Sequence, residues 1–260
     1  MKTPPNKIIL NLKNDEKVSV KGFVAPIEYT LSHFHIEWDA LANLHVTDPE
    51  KEHPTSVFQS FLPTKAVSIG ECWQIEEAGI MELLRQLNPE PNLDLEMDNG
   101  DSHGLWACLR AYNDRFADIQ FRIHADFKLE DGWFTPSQFA GNLIINRIEQ
   151  TIAFFKMSVP EGTVNFDVNW HEDKNVDYTI TDAGFCSQME LKAGIEDVVQ
   201  NTDFTESITE EETERVLSLR FYKSAQINWV SPYQAVEMAE EQVKLIHVIS
   251  IDGPLANEAC

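Results

Sequence analysis

The chain has 260 residues, among them 43 acidic and 20 basic side chains, and it carries a formal net charge of −23. This excess of carboxylates argues against nucleic-acid binding through a basic face and against adhesion to an anionic membrane surface. The hydrophobic content of 43% is that of a globular protein, and no stretch approaches the roughly 20 apolar residues of a membrane span.

The cysteines are far apart in the sequence and form neither a Cys-x-x-Cys motif nor a zinc-binding spacing. They are Cys72, Cys108, Cys186 and Cys260. This usage is typical of free thiols in a reducing compartment. The start of the chain has too little apolar sequence for a signal peptide. The sequence therefore predicts a cytoplasmic protein.

An early segment, 33–38, alternates histidine and glutamate with apolar residues and is predicted to be a strand. His33, His35 and Glu37 would then share one face. Such a ladder can ligate a transition metal together with His45 or His53. Two histidines on a solvated strand face are nevertheless common, and the pattern gives no complete ligand set. We predict that this pair holds no metal.

Two acidic loops have part of the calcium-binding pattern. In Asp94–Leu105 and in Asp173–Gly184, other residues stand where an EF-hand needs its glycine and its final glutamate. Neither loop is therefore expected to bind calcium. The sequence predicts no metal site and no bound cofactor.

One amphipathic helix is predicted from about Glu76 to Asn88, because apolar residues recur along it at helical spacing. These residues are Ile80, Leu83, Leu84 and Leu87. The helix is expected to stop at Asn88-Pro89, since proline cannot continue it.

The middle of the chain, 115–185, is predicted to be an antiparallel meander. Apolar and polar residues alternate in the segments 119–129, 155–159 and 164–170, as expected for strands with one buried and one solvated face. Turn signals separate these segments. The run Thr135-Pro136-Ser137-Gln138 is predicted to open a short helix, with threonine as the N-cap and proline at the first helical position.

Two helices are predicted after the meander, over about 210–223 and about 232–243. Thr209 and Ser231 are their N-caps, and each is followed three residues later by a glutamate or glutamine. This spacing is the capping box, in which the two side chains satisfy backbone N–H groups at the start of a helix.

A nearly continuous apolar run, 245–251, follows the second helix directly and is typical of a strand buried on both faces of a sheet. Cys260 then lies in a Gly-Pro loop, where a thioredoxin-like fold exposes its redox residue. The predicted fold class is α+β: an antiparallel β-rich domain with flanking helices over 1–225, followed by the N-terminal part of a thioredoxin-like α/β domain over 226–260. The last segment is too short to form a domain alone, so we expect further sequence after Cys260.

Cys260 is predicted to be the most reactive thiol and is the candidate catalytic residue. Cys72 and Cys186 adjoin Trp73 and Phe185, and Cys108 lies two residues after Trp106, all on predicted core elements. Such surroundings are typical of a buried and inert thiol. Cys260 lies instead on a loop.

Four stretches of the C-terminal half are distinctive. They are Asp131–Phe139 (DGWFTPSQF), Asn165–Trp170 (NFDVNW), Gln188–Leu191 (QMEL) and the tail from Asn228 to Cys260. Together they resemble the selenoprotein N family over roughly residues 130–260.

In that family a Cys-selenocysteine-Gly motif follows a loop like Asp252–Ala259, so Cys260 matches the redox cysteine of the family. The resemblance implies that selenocysteine, encoded by a codon ordinarily read as stop, comes next and that this sequence ends just before it. The family's animal members are endoplasmic-reticulum membrane proteins linked to calcium handling. Without a membrane anchor or an EF-hand, this chain is similar to a bacterial-type homologue.

The resemblance implies a thiol–disulfide oxidoreductase with a Cys-selenocysteine redox pair, of which this chain holds only Cys260. The chain by itself is therefore expected to be inactive. The expected partners are a protein disulfide or a small thiol, with no nucleic acid and no membrane, and a homodimer linked through Cys260 is a further expected assembly. The alternative is a non-catalytic interaction module, in which strands of 115–185 bind a protein partner.

Overall fold

The computed structural model describes residues 6–14, 16–93, 104–162, 164–171, 180–200, 202–221, 230–246 and 248. Its strands are β1 (Lys17–Val24), β2 (Tyr29–Thr30), β3 (Glu50–Pro54), β4 (Cys72–Gln74), β5 (Pro91–Asn92), β6 (Leu105–Tyr112), β7 (Phe116–Ile123), β8 (Asp126–Leu129), β9 (Gly132–Pro136), β10 (Phe139–Asn146), β11 (Thr151–Ser158), β12 (Phe166–Trp170), β13 (Ile180–Phe185), β14 (Met189–Gly194) and β15 (Glu206–Ser207). Its helices are α1 (Phe34–Glu37), α2 (Asp39–Ala42), α3 (Thr55–Gln59), α4 (Glu77–Leu87), α5 (Asp197–Gln200), α6 (Glu210–Phe221) and α7 (Pro232–Gln242).

The strands form two antiparallel sheets, so the described chain is a β-rich α+β protein. The first sheet has the order β15-β6-β7-β10-β11-β14-β1-β3, and β4 also pairs with β6. The second sheet has the order β2-β13-β12-β9-β8-β5. The antiparallel, β-rich part of the predicted fold class is thus confirmed.

The predicted meander contributes strands to both sheets, and the run Thr135–Gln138 carries the chain from one to the other. The helix predicted there is wrong. Thr135 and Pro136 end β9, where they pair with Asp167 and Phe166 of β12, and β10 of the first sheet begins at Phe139. Proline has no backbone N–H to donate to a ladder, so it disrupts the middle of a strand but is tolerated at a strand end such as this one.

The segment 119–129 is also divided between the sheets. The prediction treats it as one alternating strand, but β7 ends at Ile123 in the first sheet and β8 begins at Asp126 in the second. Arg122 and His124, expected on the solvated face, are buried, at 5% and 2% exposure. Helix α6 covers the second face of β7 and buries Arg122, whereas His124 lies where the chain passes from the first sheet to the second.

Phenylalanine side chains connect the helices and both sheets into one core. Phe58 of α3 packs edge-on against Phe155, with ring centroids 5.1 Å apart, and Phe155 stacks on Phe121 at 5.9 Å. Phe127 of the second sheet packs against Phe139 of the first at 6.2 Å. The predicted apolar face of α4 is confirmed, since its members are all buried: Ile80, Leu83, Leu84 and Leu87.

Both predicted capping boxes are confirmed. The backbone N–H of Glu212 donates to the Thr209 hydroxyl at 3.0 Å, and the Thr209 N–H donates to the Glu212 carboxylate at 3.3 Å. Ser231 and Gln234 make the equivalent pair at the start of α7. The acidic first turn of α6 also favours its position, because negative charge is stabilised at a helix N-terminus.

The C-terminal segment differs from the prediction. Helix α7 has no buried residue, and Leu245, Ile246 and Val248 lie outside any strand, at 99%, 46% and 81% exposure. The predicted buried strand is therefore wrong at these residues, because they form no strand and their side chains are exposed. The rest of that strand, and Cys260, lie outside the described residues, within which no thioredoxin-like domain is evident. No helix of the described ranges is long and apolar enough to cross a membrane.

Candidate functional site

The structure brings two cysteines together that are distant in sequence. Cys72 lies on the short edge strand β4 and is the cross-strand partner of Cys108 on β6. The ladder hydrogen bonds fall on either side of this pair, from the Leu109 N–H to the Glu71 carbonyl at 3.3 Å and from the Ile75 N–H to the Leu105 carbonyl at 3.0 Å. Cys72 and Cys108 therefore form a non-hydrogen-bonded pair, the closer type, with Cα atoms about 4.5 Å apart.

The two thiols differ in acidity. The Cys108 thiol donates a hydrogen bond to Cys72, and this is the main reason why the pKa of Cys72 is lowered despite its partial burial. The guanidinium of Arg220 lowers the pKa of Cys72 further. The same hydrogen bond and burial raise the pKa of Cys108, which is fully buried. Cys72 is thus the thiol that ionises first.

Helix α6 supplies the positive charge at this pair. Its capping box fixes where the helix begins, and the last turn then places Arg220 over the sheet face. The Arg220 guanidinium lies 5.5 Å from the centroid of the Trp106 ring, two residues before Cys108 on the same strand. The cation–π contact holds the arginine close to Cys72.

The face of the first sheet beneath α6 is polar beyond the cysteine pair. Cys108 pairs with Gln120, and Gln120 pairs with Asn142, so these residues form one row across three strands. Next to this row, the Arg110 Nε lies 2.5 Å from the Asp118 carboxylate, which also accepts from the Asn142 amide at 3.1 Å. Burial raises the pKa of Asp118 against the opposing effect of Arg110.

A cleft of about 190 Å³ separates this face from α6. Gln120, Arg122, Asn142, Glu210, Glu214 and Leu217 line it. The Arg122 guanidinium at its floor donates to the Gln138 amide oxygen and to the Ser218 hydroxyl of α6. Gln138 belongs to the Asp131–Phe139 run, so this distinctive stretch contributes to the support of the α6 face.

A second buried polar group lies in the second sheet. Asp167 is 9% exposed, and its Oδ1 atom has no hydrogen-bond partner among the described residues. Burial raises the pKa of this carboxyl to about 7, with a hydrogen bond from Thr135 acting in the opposite direction and the charge of Asp126 adding to the rise. Because β9 pairs with β12, the stretches Asp131–Phe139 and Asn165–Trp170 are direct neighbours.

The strand predicted for residues 33–38, with His33, His35 and Glu37 on one face, is wrong. Phe34–Glu37 is a helical turn, α1, in which the Trp38 N–H donates to the Phe34 carbonyl at 2.9 Å. His33 and His35 keep their rings 6.0 Å apart.

The other two histidines considered as ligands have partners elsewhere. His45 hydrogen-bonds to the Asn43 carbonyl at 2.7 Å and His53 to the buried Gln86 amide at 2.9 Å. Within the described ranges, no group of three or more His, Cys, Asp or Glu side chains is placed to hold a metal ion.

The three described cysteines behave differently from the common setting predicted for them. Cys186 is buried as expected, with its thiol near the Ala25 and Gln188 carbonyls, and burial raises its pKa. Cys108 is buried too, but Cys72 is only half-buried. Cys260, the predicted catalytic residue, lies outside the described residues.

Neither the cysteine pair nor the charged face beneath α6 was predicted from the sequence. No spacing rule connects Cys72 with Cys108, because only the pairing of β4 with β6 makes them neighbours. The tryptophans near them in the sequence, Trp73 and Trp106, pointed to a core position for both cysteines, and of the two only Cys108 is buried.

Comparison with known proteins gives matches to selenoprotein N. The chain is 28% identical to selenoprotein N of Danio rerio over 265 aligned positions, which cover 79% of this chain and 46% of that protein. It is 25% identical to selenoprotein N of Homo sapiens over 301 positions, covering 93% of this chain and 49% of that protein. The mouse protein is 25% identical over 262 positions.

The chain spans about half the length of these relatives. No family model matches it. No solved structure matches it either. The extent of the alignments, more than three quarters of the chain in each case, shows that this protein is a distant homologue of selenoprotein N over most of its length.

Proposed function

We propose that this chain is part of a thiol–disulfide oxidoreductase of the selenoprotein N type, with Cys260 as one of its two redox atoms. The observation that carries the proposal is the distant homology to selenoprotein N, which extends over most of the chain. Two of the stretches behind the resemblance, 131–139 and 165–170, pair as adjacent strands.

The proposed reaction is thiol–disulfide exchange between a substrate disulfide and a pair made of a selenol and the Cys260 thiol. A selenol next to Cys260 would supply an atom that is ionised at neutral pH and attacks a substrate disulfide. Cys260 resolves the mixed intermediate: its thiolate bonds to the selenium and releases the second substrate sulfur as a thiol. Two small thiols then reduce the bond between Cys260 and the selenium: the first opens it by forming a mixed intermediate, and the second releases the first as a small disulfide, which returns the pair to its starting state. Run in reverse, the same steps oxidise a substrate dithiol.

We further propose a protein disulfide as the substrate class, a homodimer as one state of the protein and a reducing compartment, the cytoplasm, as its location. These proposals rest on the free thiols and on the charge of −23, which disfavours anionic partners. Cell fractionation and size-exclusion chromatography under reducing and oxidising conditions test the last two. A protein that stays monomeric under oxidation argues against a dimer linked through Cys260.

The gene tests the proposed pair directly. A TGA codon after the Cys260 codon, followed in frame by glycine and by sequence of thioredoxin-like pattern, is the expected result. Unrelated sequence or another stop codon there would contradict the proposal and favour the non-catalytic interaction module.

Turnover of a disulfide substrate by the protein as its gene encodes it gives the second test. The Cys260→Ser variant is expected to lose most of the activity, because the mixed intermediate can no longer be resolved. Cys186→Ser is the matched control, since Cys186 is buried and contacts backbone carbonyls of Ala25 and Gln188. Full activity in Cys260→Ser would remove Cys260 from the mechanism.

A further inference from the structure

Cys72 and Cys108 are direct cross-strand partners of the type whose Cα separation suits a disulfide. A disulfide needs Cα atoms about 4.4–6.8 Å apart, and a non-hydrogen-bonded antiparallel pair places them about 4.5 Å apart. The two side chains lie on the same face of the sheet, because they are direct cross-strand partners. Each thiol also shifts the pKa of the other, as expected for two thiols on the same face of adjacent strands.

We propose that Cys72 and Cys108 form a second thiol–disulfide site, separate from Cys260, that is oxidised reversibly by small disulfides of the glutathione type. The site depends only on β4, β6 and α6. It therefore does not require the proposed function of Cys260 to be correct.

Access and charge assign different roles to the two thiols. Among the described strands, β4 pairs with β6 alone, so Cys72 lies half-buried on an edge strand, whereas Cys108 is fully buried. A thiol beside an arginine is more readily ionised and attacks a disulfide as the thiolate. Arg220 faces Cys72. Cys72 is thus the attacking thiol and Cys108 the resolving thiol.

The reaction consumes one small disulfide. The Cys72 thiolate attacks one sulfur of that disulfide, so that a Cys72 mixed disulfide forms and one thiolate leaves. Cys108 gives up its proton and attacks the Cys72 sulfur, so that the Cys72–Cys108 bond forms and the second small thiol leaves. The protein loses two electrons and two protons, and the small disulfide gains both as two thiols.

Peptide mapping across a series of glutathione buffers tests the proposal in the folded 260-residue chain. Trypsin releases Cys72 and Cys108 on the separate peptides 66–85 and 86–110. We expect these peptides to be joined when oxidised glutathione predominates and to separate again after dithiothreitol treatment. The measurement is repeated in Cys260→Ser, where the joined peptide should persist. Cys186→Ser is the control for a described cysteine without a nearby partner thiol.

The rate of alkylation tests the assigned roles without relying on a cysteine variant that might not fold. In the wild-type chain, iodoacetamide should label Cys72 at least about tenfold faster than Cys186, because the two thiols differ in acidity and burial. Arg220→Met should slow labelling of Cys72 several-fold and leave Cys186 unchanged.

Three results would overturn the proposal. The first is that the joined peptide is absent in every buffer of the series, including those in which oxidised glutathione predominates. The second is that the joined peptide forms only after denaturation. The third is that Cys72 bonds chiefly to Cys260, with no Cys72–Cys108 bond in Cys260→Ser.

Discussion

Replacing Asp167 with asparagine is expected to stabilise the protein at neutral pH and to have little effect at acidic pH. Burial raises the pKa of the Asp167 carboxyl to about 7, and the nearby charge of Asp126 adds to the rise. Below the ordinary pKa of 3.8 the carboxyl is protonated in both the folded and the unfolded chain. As the pH rises from there to about 7, the unfolded chain ionises first, so the free energy of unfolding falls.

The size of this effect follows from the two pKa values. The pKa is 3.8 in the unfolded chain and about 7 in the folded chain. At about 1.36 kcal/mol for each pKa unit, this difference lowers the free energy of unfolding by at most about 4 kcal/mol between the two pH values. This stability is fully present below about pH 4 and is lost by about pH 7, above which both states are ionised. Asparagine does not titrate, so the Asp167→Asn variant should lack this loss.

Urea unfolding of the wild type and of Asp167→Asn between about pH 4 and about pH 8 measures the difference. The gain in stability of the variant should grow with pH across this range. NMR of the carboxyl carbon gives the Asp167 titration directly, and its midpoint should fall in Asp126→Asn, because a neighbouring negative charge is removed. A stability difference that is constant with pH, or an Asp167 carboxyl that titrates at its ordinary value, would refute the reasoning.

Three further substitutions test the packing, the buried ion pair and a helix cap. Gly79→Ala in α4 should lower the free energy of unfolding, because a Cβ there would lie 2.2 Å from the Val57 carbonyl oxygen. This is opposite to the usual effect of alanine, which favours a helix by about 1 kcal/mol. A higher free energy of unfolding in urea would contradict this close contact. Arg110→Met should lower the free energy of unfolding by about 3–5 kcal/mol, because it leaves the Asp118 carboxylate buried without its cation. The double variant Arg110→Met, Asp118→Asn should recover most of that loss. Equal losses of stability in the single and the double variant would argue against the ion pair. Ser231→Ala should destabilise α7 by about 1 kcal/mol. The free energy of global unfolding should not change, since α7 has no buried residue. Amide hydrogen exchange of residues 232–242 measures the local effect, and an unchanged exchange rate would argue against the cap.

Local patterns in the sequence predicted several elements correctly. The apolar spacing of 80–87 gave α4, and the pairs Thr209/Glu212 and Ser231/Gln234 gave the starts of α6 and α7. These predictions succeed because a helix and its cap depend on residues within one or two turns. The alternation of 115–185 likewise indicated antiparallel strands, since strand pattern is a local property too.

The assignment of strands to sheets depended on long-range packing. Thr135–Gln138 has the pattern of a helix start, yet pairing of β9 with β12 makes it a strand end. Arg122 and His124 alternate as solvent-facing residues, but α6 and the change of sheet after Ile123 bury them. A periodic pattern shows which residues share a face, but it does not show what covers that face.

The candidate sites divide in the same way. Cys260 could be singled out from the sequence alone, through its loop and the resemblance of the tail, because both are contiguous features of the chain. The Cys72–Cys108 pair and the arginine beside it could not, since they come from β4, β6 and α6, which are separated in sequence. Sequence determined which thiols the protein has and which elements carry them. Only the tertiary structure decided which thiols meet, because strand register and helix packing bring distant residues within bonding distance.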